Sequence, residues 1–174
     1  MTTEMDDLRE TLLSARLYHE GWWCVVGRHE NRDFVAQGMN FHLVFFNAVA
    51  WGFFDALVSK LSTVFDSNKK SISFLSNPQL CGHPQFDEIR EMGRKLYDFR
   101  NKFVAHRDIK MVARPEDFHS GLTHDDLGLL LDRCCHIFDD VAQRQGLAPI
   151  QDFSCQEDLM NLIATLVKQQ SYES

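Results

Sequence analysis

One stretch of this chain gathers residue types that can act together on a phosphodiester: Arg100-Asn101-Lys102-Phe103-Val104-Ala105-His106-Arg107-Asp108. A neutral imidazole, whose pKa lies near neutrality, can take a proton from a ribose 2′-OH. A guanidinium can stabilise the extra negative charge on a pentacoordinate phosphorus. A carboxamide beside them can orient either group or hold a phosphate oxygen. Arg100, Asn101 and His106 thus supply the parts for cleaving RNA without a metal, with a 2′,3′-cyclic phosphate as product. The cations Lys102 and Arg107 would guide the RNA backbone. The bare spacing is a weak signal, because eleven arginines and eight histidines in 174 residues give about 1.5 chance pairs at such distances. Arg114 and His119 also match; Pro115, irregular surroundings and the lack of a polar neighbour set that pair aside.

The motif must be carried by an element. From Phe86 to about Arg107, the residues Ile89, Met92, Leu96, Phe99, Phe103 and His106 recur at steps of three and four. This is the cleanest amphipathic stripe in the sequence and predicts a helix. On an ideal helix Arg100 and His106 fall on opposite shoulders of the stripe, about 9 Å apart along the axis. A straight helix in one chain would not aim both at the same phosphate. Two remedies exist: a distorted helix end near Ala105, or a two-fold axis that sets the groups of paired chains against each other. The surplus of aromatic residues, 14 Phe and 3 Trp, points towards the second, although such residues also fill ordinary cores.

Around this helix the periodicity predicts others. Residues Thr3 to Val26 carry Leu8, Leu12, Ala15, Tyr18, Trp22 and Val26 at helical spacing. The polar, glycine-flanked stretch from Gly27 to Gly38 reads as a connection. Met39 to Phe65 reads as one long helix, apolar nearly all round in its middle, which ought to be covered on most sides at the centre of the fold. Gly52 within it costs about 1 kcal/mol relative to Ala, a cost that close approach of another backbone would offset. Asp66 to Pro84, with Asn77-Pro78 and Gly82, reads as loop with at most a short turn, and residues 109–123 are irregular. Thr123 with Asp126 is expected to cap a helix running to about Gln145, and Ser154 with Glu157 a last one to about Gln169. No repeat and no alternating run stands out. The expected fold is all-α, an antiparallel bundle of four to five helices, in one domain over residues 1–174.

Composition narrows the function classes. With 44% hydrophobic and 25% charged residues, and only 9 Gly and 4 Pro, the chain is expected to fold rather than remain disordered. The run Leu43 to Phe54, broken only by Asn47, falls short of the roughly 20 residues of a membrane span and reads as a buried helix segment, so no membrane partner is expected. The acidic start, MTTEMDDLRE, does not look like a secretory signal. Five cysteines at irregular spacing then read as reduced thiols in a cytoplasmic protein. A net charge of −7 weighs against a general nucleic-acid coat, yet from Arg100 to Arg114 five basic residues face one acid, Asp108. Cys81-Gly82-His83 and Cys134-Cys135-His136 lack the spacing of a zinc site, so no metal and no cofactor are expected. Phosphate-cradling glycine loops, nucleophile elbows and His-Glu-x-x-His are missing from the sequence, which removes common ATPase, hydrolase and zincin readings.

The longer string Leu96-Tyr97-Asp98-Phe99-Arg100-Asn101-Lys102-Phe103-Val104-Ala105-His106-Arg107-Asp108 resembles the signature helix of HEPN (higher eukaryotes and prokaryotes nucleotide-binding) domains, above all the abortive-infection subgroup. The resemblance reaches upstream to Phe54-Asp55-Ala56-Leu57 and to Asp66…Ser71-Ile72-Ser73, so it spans about residues 40–110. It implies a metal-independent endoribonuclease with Arg100, Asn101 and His106 as its motif. It also implies a homodimer in which two motifs share one cleft, a role in prokaryotic phage defence or a toxin–antitoxin system, and, for some members, a nucleotidyltransferase antitoxin. The alternative is a non-catalytic dimerising module of the same fold that binds a partner protein or nucleotide. In it His106 would be a core-edge histidine bonded to a carbonyl, Arg100 a helix-surface cation, and Tyr97 a packing residue.

Overall fold

The computed structural model describes residues 2–27, 31–68, 70–103, 122–151 and 154–170. Among these residues every regular element is helical: α1 (Thr2–Val26), α2 (Arg32–Phe41), α3 (Leu43–Thr63), a 3-10 turn (Phe74–Ser76), the single-turn α4 (Pro78–Cys81), α5 (Phe86–Phe103), α6 (His124–Arg144) and α7 (Gln156–Gln170). Among the described residues the fold is all-α, as expected. The chain forms two compact units, Met1–Ala15 with Leu57–Gln151 and Arg16–Ala56 with Asp152–Ser174.

The first unit holds α5. Its apolar stripe is buried at Ile89, Leu96 and Phe99, the positions the spacing predicts. α5 packs against α6, whose Leu130, Leu131, Cys134, Ile137 and Phe138 are buried. The pair runs antiparallel. His83, just before α5, bonds to Asp140 near the end of α6, while Lys95, further along α5, lies close enough to Asp126 at the start of α6 to act on its charge. The capping box at Thr123 forms as predicted: Asp126 N–H donates to Thr123 Oγ1 at 3.2 Å, and Thr123 N–H donates to Asp126 Oδ2 at 2.7 Å. Phe65 stacks near Phe86 with ring centroids 6.5 Å apart, and its ring occupies the space a Cβ at Gly93 would need.

The stretch 66–84 is more regular than its Pro and Gly content predicts. Asn77 is a cap rather than a breaker: its Oδ1 accepts from Gln79 N–H and Leu80 N–H, and Pro78 takes the first helical position, where no N–H is needed. The resulting turn buries Leu80. Ser73 N–H donates to Ser76 Oγ at 3.0 Å and closes the 3-10 turn.

The second unit departs further from the sequence reading. The supposed connection after Gly27 contains α2, which packs against α7. Its buried face is Val35, Gly38 and Met39, an i, i+3, i+4 set disguised by polar neighbours and by a glycine at the contact. A Cβ on Gly38 would sit 2.6 Å from Ile163 Cγ2, so the glycine serves helix packing rather than a turn. The long helix expected from Met39 is interrupted at His42, whose N–H bonds back to Met39 and whose carbonyl opens α3. α7 begins at Gln156, one residue later than a cap at Ser154 implies, with Cys155 C=O accepting from Leu159 N–H.

α3 is also not the covered centre that its composition predicts. Phe46 and Ala50 are buried, but Leu43, Val44, Phe45 and Trp51 are exposed, Val44 to 85%. By length and composition α3 is apolar enough to cross a membrane, and only 22% of its apolar window is buried. Gly52 has no atom within 4 Å of where its Cβ would be, so the expected close approach is not there. It occurs at Gly93 and Gly38, and at Gly21, where a Cβ would lie 2.9 Å from the Phe53 ring.

Candidate functional site

Arg100 and Asn101 stand on the last turns of α5, half-buried on the flank of its apolar stripe. The Arg100 Nη1 group donates to Asn101 Oδ1 at 3.1 Å. Side chains of successive helical residues leave the axis about 100° apart, so this bond draws the guanidinium along the helix surface towards its neighbour. One of its five N–H donors is used in the bond, and the planar fork suits bidentate contact with a phosphate.

The chain leaving α3 supplies a carboxylate to the same locality. Asp66 Oδ1 accepts from Asn68 N–H at 2.9 Å and from the Tyr97 hydroxyl at 3.3 Å, and Oδ2 accepts from Ser71 Oγ at 2.7 Å. Ser73 Oγ donates to the Asp66 carbonyl at 2.8 Å. Burial by itself would raise the Asp66 carboxyl. The hydrogen bonds from Ser71, Asn68 and Tyr97, with the positive charge of Arg100, outweigh it and hold the group below the ordinary carboxylate value. Tyr97 lies one helical turn before Arg100 and Asn101. Its hydroxyl therefore ties the helix that carries them to the 66–73 loop, beyond the packing role the sequence suggested for it.

The structure thus brings together Arg100, Asn101, Tyr97 and Asp66. Lys102 is on the last turn of α5. His106, Arg107 and the expected distortion near Ala105 lie outside the described residues. Asp66 entered the sequence reading only as part of a longer resemblance. The available signal was Asp66-Ser67-Asn68 followed by Ser71 and Ser73, a run of short polar side chains suited to bonding their own backbone two residues on.

The two Cys–His clusters resolve into structure. His83 is buried, with Nε2 3.2 Å from Asp140 Oδ2, and its Nδ1 accepts from Gln85 N–H at 3.2 Å. The amide on Nδ1 leaves Nε2 as the protonated nitrogen that donates to the carboxylate, so both ring atoms are committed to joining the segment before α5 to α6. Cys134 and Cys135 are buried; burial, with Cys135 adding to it, pushes the Cys134 thiol well up. Among the described residues no group of three or more His, Cys, Asp or Glu is placed to hold a metal ion.

No curated protein and no solved structure matches the chain. The family model described as AbiU2, of the HEPN class, matches residues 3–146, from α1 through α6. With that match covering most of its length, on a fold whose regular elements are all helical among the described residues, the chain belongs to the AbiU2 family of HEPN domains.

Proposed function

We propose that this HEPN protein is a metal-independent endoribonuclease working as a homodimer in prokaryotic defence or in a toxin–antitoxin pair. His106 takes the proton from a ribose 2′-OH, and the oxygen attacks the adjacent phosphorus. Arg100 bears on the phosphorane charge, Asn101 holds the guanidinium, and the departing 5′-oxygen gains a proton. Lys102 and Arg107 draw in the RNA backbone. The observation that supports this reading is the half-buried Arg100 guanidinium, bonded to Asn101 and held in the field of an ionised Asp66.

The test is RNA cleavage by purified protein in EDTA, with product ends analysed for 2′,3′-cyclic phosphate. Arg100→Ala and His106→Ala are each expected to lower the rate at least about 100-fold. Equal cleavage by wild type and His106→Ala, or loss of cleavage with the chelator alone, would overturn the mechanism. The second reading, a non-catalytic dimerising module that binds a protein or nucleotide, draws on the same bonds: an arginine engaged by Asn101 can also serve as a helix-end network. In that case wild-type protein leaves RNA intact, and a neutralising nucleotidyltransferase partner would be irrelevant to RNA decay.

A further inference from the structure

Cys24 and Cys155 are separated by most of the chain, yet both line one apolar cavity of about 280 Å³ in the second unit, together with Gly21, Val25, Phe45 and Phe53. The two sulfurs are close enough for each to act on the other's charge. Cys24 is buried at the end of α1, whereas Cys155 is half-buried at the start of α7. Neither cysteine is in a disulfide.

We propose that Cys24 and Cys155 form an oxidisable dithiol that closes to an intrachain disulfide when the protein meets a hydroperoxide. The cavity admits a molecule as small and uncharged as hydrogen peroxide. The two thiols are not equivalent. Burial, then the nearby Cys155 and Glu20, push the Cys24 thiol up to about 12, so it remains protonated. Burial and the nearby Glu20 and Asp158 raise Cys155 as well, opposed by a backbone hydrogen bond and by Cys24. Cys155 is the more accessible of the two and meets the peroxide first.

Its thiolate attacks one peroxide oxygen: the S–O bond forms, the O–O bond breaks, and the leaving hydroxide becomes water on protonation. Cys24 then attacks the sulfenic sulfur; the S–S bond forms, the S–O bond breaks, and the departing oxygen leaves as water with the Cys24 proton. Two thiols and one peroxide give a disulfide and two waters, the sulfur pair losing the two electrons that the peroxide gains. Because both thiols stay mostly protonated at neutral pH, the step is slow and answers sustained rather than brief exposure.

The experiment treats the full-length protein with stoichiometric hydrogen peroxide, then counts thiols after denaturation and maps cross-linked peptides without reductant. The expected result is loss of two of the five thiols, a mass lower by two hydrogens, a peptide joining Cys24 to Cys155, and a Tm raised by about 10 °C. Dithiothreitol reverses all four. Cys155→Ser, at the half-buried position, keeps its four remaining thiols under the same treatment. Retention of all five wild-type thiols, a cross-link joining other cysteines, or thiol loss unchanged in Cys155→Ser would each overturn the proposal.

Discussion

The Asp66 carboxylate accepts three hydrogen bonds and faces a guanidinium, so folding selects its ionised form. Its folded pKa lies below the ordinary 3.8. The stability it contributes is therefore complete above that value and is lost as pH falls through the lower, folded-state pKa. Asp66→Asn should lower stability at neutral pH by about 1–2 kcal/mol. It should also flatten the loss of stability between about pH 5 and pH 2, as urea midpoints across that range will report. The His83–Asp140 bond offers a contrast, because His83 is buried and both its nitrogens are engaged. Asp140→Ala leaves the Nε2–H without its carboxylate and is expected to cost about 1–3 kcal/mol in chemical denaturation. Arg100 and Asn101 stand out by residue type and by the longer string around them, the bare spacing being a weak signal. Asp66 could not, since its role depends on a loop folding back to meet Tyr97, and no local periodicity encodes that return.

At the scale of elements, glycine separates what the sequence encodes from what packing decides. Gly52 and Gly93 both sit inside helices, and the glycines themselves do not show which one has a ring against it. At Gly93 the Phe65 ring lies where a Cβ would go, whereas at Gly52 the space is open. Gly93→Ala is expected to destabilise by about 1–3 kcal/mol through overpacking. Gly52→Ala should stabilise by up to about 1 kcal/mol through helix propensity. Thermal unfolding of the two variants should shift Tm in opposite directions. The stripe of α5 and the Thr123–Asp126 cap were legible because each is a local pattern with a direct geometric meaning. α2 was not, because its small buried face includes Gly38, whose packing against Ile163 is a contact between distant parts of the chain. The break at His42 was equally hidden, with apolar residues continuing on both sides of it.

For the whole molecule, helical class was accessible from the periodicity along the chain and family from the string around Arg100, and the match over residues 3–146 agrees with the family reading. The grouping of the helices into two units was not, since α1 and α3 each contribute residues to both. Hydrophobicity along α3 also misled: composition measures how apolar a helix is, not how many of its sides are covered. Val44, Phe45 and Trp51 are consequently exposed. An environment-sensitive dye such as anilinonaphthalene sulfonate should therefore fluoresce with the fully folded protein at room temperature. Trp51→Gln should cut that native signal by about half while moving the Tm little, because an exposed side chain contributes little to the core. In a dye-monitored melt this protein would begin from a bright baseline, and an unwary observer would mistake a well-packed molecule for a loosened one.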